Sequence, residues 1–193
     1  MSNIIEPGTG LLYMKIGTHA NEPLSDIIRR KRKEIVDAGH AFWGYGGNTC
    51  HPRNAVQPFV RSYEQRGKEI YLWMEEIESN HHYDPVRADE YSVDGFNWHE
   101  VPAAINALSS RYALVIDSLE EQDIVLPLAM TRVAWGNSMG ANGDNYIRGR
   151  VDKACLEVVD GEPGEGGGRI IRIGLVARIV EPYAVFLRNR PQR

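Results

Sequence analysis

The order of the apolar patterns constrains this chain more than any single motif: helical patterns come early and strand patterns dominate from Tyr112 onward. Tyr112 to Ile116, Ile124 to Trp135, Cys155 to Val159, Ile170 to Val180 and Tyr183 to Leu187 all have strand length and are rich in β-forming residues. Leu119 to Asp123 reads as a connection, Pro127 as an edge or bulge. The glycine-rich segment Gly161 to Gly168 reads as the turn of a hairpin joining Cys155–Val159 to Ile170–Val180. Asn137 to Asn145, with Gly136, Gly140 and Gly143, reads as a loop.

The first half holds three more strand candidates. Leu11 to Ile16 is apolar at nearly every position, which suits a central strand buried on both faces. Ala41 to Tyr45 runs into the turn Gly46-Gly47, and Glu69 to Ile77 alternates Ile70, Leu72 and Met74 with Tyr71, Trp73 and Glu75. Either face of that last run can be the inner one, and Trp73 is the foremost core candidate among the four tryptophans. Pro23 opens a helix whose stripe is Leu24, Ile27, Ile28 and Ile35, stopped by Gly39. Shorter helices are expected at Phe59–Gln65 and Val101–Leu108. About seven strands and two or three helices in this order predict an α+β domain with a curled, barrel-like sheet, mixed or antiparallel. At 193 residues the whole chain, 1–193, is expected to form one domain, with an acidic, loop-rich insertion near 79–100.

Charge is unevenly distributed. Residues 1–68 carry ten Lys/Arg against six Asp/Glu, residues 69–123 two against thirteen, and residues 148–193 nine against six. Within the first helix Arg29-Arg30-Lys31-Arg32-Lys33 wraps the full circumference, so at least one cation must lie beside the buried face. Snorkelling of Lys31 is the structural reading; a phosphate-contacting ridge that includes Arg29 and Arg30, supplemented by Arg148 and Arg150, is the functional one.

Chemistry-bearing motifs are few. Gly44-Tyr45-Gly46-Gly47 lacks the Lys-Ser/Thr of a nucleotide P-loop. Cys50-His51 offers a thiol and an imidazole, but neighbours in sequence seldom face each other, and a base would have to come from His40, His81, His82 or His99. His81, His82, Asp84, Asp89 and His99 have none of the spacings of a zinc or calcium site, so no metal and no resident cofactor is predicted. Two cysteines, Cys50 and Cys155, without a disulfide framework predict free thiols.

Aromatics beside glycine are the more distinctive signal. Phe42-Trp43-Gly44-Tyr45, Phe96-Asn97-Trp98 and Trp135-Gly136 place rings next to flexible turns, where a ring offers a π face and a glycine lets a planar ligand approach the backbone. A ligand pocket is therefore predicted at Trp43, Gly44, Tyr45 and Gly46, with Trp98 and Trp135, between the 42–47 strand end and the 135–148 loop. The first strand, the basic helix, the strand ending Phe42-Trp43-Gly44-Tyr45-Gly46 and the later barrel-like strands resemble the PUA-like group, which includes the EVE, ASCH and YTH families. The Gly-x-Lys-x-x-Glu-x-Arg signature of the ASCH group is absent. The resemblance implies a small curled barrel that binds nucleic acid or a modified base in an aromatic pocket.

Three functions follow as alternatives: a module binding nucleic acid or a nucleotide through these rings, an enzyme on a nucleotide or other small polar substrate using Cys50, His51, His82 or Asp84, and an assembly protein with exposed aromatics. No apolar run approaches the ~20 residues of a membrane span, and the first ten residues lack the basic segment and apolar core of a signal peptide. The expected location is cytoplasmic, without a membrane partner.

Overall fold

The computed structural model describes residues 5–81, 84–148, 151–161 and 168–190. The elements are β1 (Gly10–His19), α1 (Leu24–Ala38), β2 (Ala41–Tyr45), a π-helical turn (Pro52–Val56) that runs into α2 (Gln57–Glu64), β3 (Tyr71–His81), β4 (Glu90–Ser92), β5 (His99–Glu100), β6 (Tyr112–Ile116), β7 (Glu120–Pro127), β8 (Thr131–Val133), α3 (Gly143–Tyr146), β9 (Lys153–Val158) and β10 (Ile170–Arg188). The ten strands form one mixed sheet in the order β2-β6-β10-β3-β1-β9-β8, with β7 and β4 also paired to β10. It curls without closing, an α+β architecture.

Strand β1 lies between β3 and β9, parallel to the first and antiparallel to the second. Its apolar run serves both faces: Leu12 and Met14 join Leu72 and Met74 in the core on one side of the sheet, while Leu11 and Tyr13 join the core on the other. The parallel pair needs a long crossover, which α1, β2 and α2 provide.

The 19-residue β10 is the spine of the sheet. Ile171 and Ile173 face the second core; after a register shift between Ile173 and Leu175, so does Val176, while Leu175, Ala177 and Ile179 face the first. The shift sets two β7 residues, Gln122 and Asp123, against Gly174, and the inward faces of β10 are exchanged across it. The far half of β10 pairs with β6 and β4.

Several expectations are corrected. Val101–Leu108 is not helical. The carbonyls that a helix would use accept instead from Arg87, whose guanidinium reaches Val101, Pro102 and Ile105, and the N–H of Asn106 donates to Glu34 at 3.0 Å. Leu119–Asp123 is not merely a connection, since Glu120 and Glu121 pair with Val176 and Leu175 inside β7. The run from Ile124 to Trp135 breaks at a 3-10 turn, Leu128–Met130. Cys155–Val159 and Ile170–Val180 form no hairpin: β9 pairs with β1 and β8, and the start of β10 pairs with β7. Much of the glycine-rich turn between them lies outside the described residues.

The acidic stretch near 79–100 folds back onto the sheet, with β4 pairing both β10 and β5. Lys31 does not snorkel. It is buried, and its ammonium donates to both Glu34 oxygens, at 2.9 and 3.1 Å, and to the Asn106 carbonyl.

Candidate functional site

Strand β2 ends at Tyr45, and the chain turns back on itself over Gly46 to His51. The Tyr45 hydroxyl, buried, donates to the Cys50 carbonyl at 2.6 Å and so closes the loop. Gly47 (φ 82°) and Cys50 (φ 56°) are both left-handed, free of strain for the glycine and costly for the cysteine. Among the described residues, no backbone N–H from Gly46 to His51 donates to a backbone carbonyl. Successive N–H groups without backbone acceptors among the described residues, in a turn with two left-handed residues, are suited to an anion.

Two further segments meet this loop. From β9, Cys155 joins Cys50 in the first hydrophobic cluster, and Lys153 on the same face lies beneath Gly47: a Cβ added there would sit 3.9 Å from its ammonium. Lys153 is only 5% exposed, yet the partner of its ammonium is Asp152, at 2.7 Å, a half-exposed carboxylate. From the 135–146 segment, the Trp135 indole N–H donates to the Asn54 carbonyl at 3.1 Å. Burial first, and then proximity to Cys50 and Cys155, raises the affinity of the Tyr146 phenol for its proton.

His51 belongs to the scaffold of the loop. Its Nδ1 accepts the Asn54 N–H at 3.3 Å, capping the π-helical turn, and its ring packs edge-on against Tyr112 and Phe186. Burial, followed by the Arg111 and Arg53 charges, lowers its pKa. An Nδ1 that accepts this bond cannot also take a proton from the Cys50 thiol.

The predicted site residues separate into groups. Trp43 is core: with Ala41 and Tyr45 it faces the first hydrophobic cluster. Trp73, expected to be core, is only partly buried, against the second cluster. Gly44 is small because Ser110 lies across from it, where a Cβ would come within 2.8 Å of another carbon. Gly46 and Trp135 are in the loop assembly. Trp98 is elsewhere, its ring 3.9 Å from the Arg188 guanidinium.

Of the predicted phosphate ligands, Arg29 is exposed and pairs with Asp26 at 2.5 Å. Arg30 is engaged by both Glu22 oxygens, by Glu34 and by the Asn106 carbonyl, and Arg148 by Asp144. Arg150 and His82 lie outside the described residues, and Asp84 is exposed. The sequence reading missed Lys153, Cys155 and Tyr146. The signal was present in Lys153-x-Cys155, two residues of one strand face, but only the pairing of β9 with β1 shows that this face lies under the loop.

A groove of about 720 Å³ lies at the start of α1, lined by Gly17, Leu24, Ser25, Glu76 and Glu78 among others. Two carboxylates in its wall make it a poor phosphate site, and it holds none of the predicted residues. Among the described residues, no helix is long and apolar enough to cross a membrane. Comparison with family models, curated proteins and solved structures finds no match.

Proposed function

We propose that the protein is a ligand-binding module that takes the phosphate of a nucleotide or nucleic acid at the Gly46–His51 loop. The observation carrying this reading is the run of six backbone N–H groups, Gly46 to His51, without backbone acceptors among the described residues, beside the buried Lys153. Oriented N–H groups and one desolvated cation favour an anion for the same electrostatic reason, and the low-dielectric setting strengthens both. The Asp152 carboxylate, already half in water, releases the ammonium at modest cost when a phosphate arrives. Trp135, partly exposed at the loop's margin, supplies a face on which a base stacks. Nucleic-acid recognition is also the function that the PUA-like resemblance implies.

Equilibrium titration of nucleoside mono-, di- and triphosphates and short oligonucleotides at several salt concentrations tests the reading. Binding should weaken with salt. Lys153→Met should cost about ten- to a hundred-fold in affinity, the scale of one charge-assisted hydrogen bond. Trp135→Ala should cost about five- to a hundred-fold if a base stacks there. Absence of binding by every ligand in the panel, or affinities equal to wild type in the folded Lys153→Met variant, would overturn it.

A further inference from the structure

The loop carries a second chemistry that ligand binding does not use. Cys50 and Cys155 are the two cysteines of the chain, about a hundred residues apart, and the fold brings both thiols into one buried cluster, 7% and 4% exposed. The two side chains are neighbours in that cluster, and both remain free thiols. Cys50 is delivered by a left-handed backbone that a non-glycine residue adopts only when its surroundings hold it there, here by the Tyr45 hydroxyl on its carbonyl. Cys155 is fixed differently, in the middle of β9 between β1 and β8. One sulfur therefore sits on a loop whose outer turn, Gly47-Asn48, is exposed, and the other on a rigid strand.

We propose that Cys50 and Cys155 are a reversible oxidation site, closed to a disulfide by hydrogen peroxide and reopened by a dithiol. In the first step the Cys50 sulfur attacks one peroxide oxygen; the O–O bond breaks, water leaves, and Cys50 becomes a sulfenic acid. The Cys155 sulfur then attacks the Cys50 sulfur, the S–O bond breaks, and the departing oxygen leaves as a second water with the proton of Cys155. Two thiols lose two electrons and two protons, and the peroxide is reduced to two waters. The roles follow from position: Cys50 sits on the loop next to the exposed Gly47-Asn48 turn, where peroxide arrives first, and Cys155, fixed within β9 between β1 and β8, is the resolving sulfur. Closure ties the exposed loop covalently to the sheet.

The test uses folded protein exposed to hydrogen peroxide, quenched with an alkylating maleimide and read by intact mass and peptide mapping. The expected product is monomeric, two hydrogens lighter, unalkylated, and yields a Cys50–Cys155 cross-linked peptide. Dithiothreitol should restore two alkylatable thiols. Because the bridge closes a long loop, oxidised protein should melt about 10 °C higher on the scale usual for such closures. Cys155→Ser should stop with oxygen added to Cys50, and Cys50→Ser should leave Cys155 unchanged. If either serine variant fails to fold, alanine replaces serine, and the cross-linked peptide of the wild type decides alone. Two alkylatable thiols after peroxide, sulfinic acid on wild-type Cys50, or an intermolecular dimer would each overturn the proposal.

Discussion

Two buried lysines make a natural comparison. Lys31 on α1 and Lys153 on β9 are 3% and 5% exposed. Lys31 has full compensation: both oxygens of Glu34, the Asn106 carbonyl and a network that Arg30 extends to Glu22. Lys153 is bound by Asp152, whose side chain is half in water, and faces a loop whose N–H groups have no backbone acceptor among the described residues. Burial alone therefore does not mark a functional cation. The polar groups around it do: where every donor finds an internal acceptor, the cation holds the fold, and where donors outnumber acceptors, the excess suits an anion from outside.

Breaking the Lys31 network should give the larger effect on stability. Glu34→Ala leaves the Lys31 charge buried without its carboxylate and removes the acceptor of the Asn106 N–H, so the 101–107 segment loses its anchor on α1. The expected loss is about 3–5 kcal/mol, the usual cost of leaving one member of a buried ion pair. Lys153→Met, in contrast, frees a carboxylate that water already reaches, and should cost no more than about 1 kcal/mol. Urea unfolding of both variants checks the difference. A Lys153→Met variant as unstable as Glu34→Ala would erase the distinction between the two sites.

A sharper version uses pH. Burial, the dominant influence, lowers Lys31 from its ordinary value to about 8, against a favourable Glu34 charge. Below pH 8 the lysine is charged in both folded and unfolded chains, and its desolvation counts fully against the fold. Between about pH 8 and 10.5 the unfolded chain holds the proton more tightly, so the contribution of Lys31 to stability rises with pH. The phenols oppose this: burial raises Tyr63 and Tyr183 to about 12, and their contribution falls once the unfolded phenol begins to ionise. Subtracting the pH profile of Lys31→Met isolates the lysine. Wild type minus variant should climb by a few kcal/mol across that window; a flat difference would mean that the network keeps Lys31 charged throughout.

The same contrast explains what could be read in advance. Five cations in succession require that one reach the core, and that residue is Lys31; the sequence could not say that Glu34 and a carbonyl 75 residues away would receive it. The strands with strong apolar patterns, Leu11–Ile16, Ala41–Tyr45 and Glu69–Ile77, all lie in the one sheet, as do the two strands within Ile124–Trp135. What failed were elements whose polar backbone is satisfied by distant side chains, such as Val101–Leu108, or whose strand character is hidden by charge, such as Glu120–Asp123. At the site, aromatic and glycine placement pointed to the 42–47 strand end and the 135–148 loop, whereas the contact the structure shows is from Trp135 to Asn54, beyond that strand end. The burial of Trp43 was not, because a two-residue alternation names two faces without saying which is inside, and Lys153-x-Cys155 acquires meaning only through the register of β9 against β1.

The smallest expected effect concerns His51, which links the loop to the π-helical turn. Its Nδ1 must be unprotonated to accept the Asn54 N–H, and burial with the Arg111 and Arg53 charges already holds its pKa below the ordinary value. A lowered folded-state pKa means that the contribution is complete above the unfolded value of about 6.5 and is lost as the pH falls through the folded value. The histidine is half-buried, and the capping bond sets the scale, about 0.5–1 kcal/mol. Replacing His51 with Asn keeps a capping oxygen that does not titrate near neutrality, although it gives up the ring contacts with Tyr112 and Phe186. Thermal unfolding from pH 7.5 to 5 should therefore show a steeper decline for wild type than for His51→Asn. If the two profiles run parallel, the cap is not titrating, and the loop's geometry is held by the Tyr45 hydroxyl and the Trp135 indole instead.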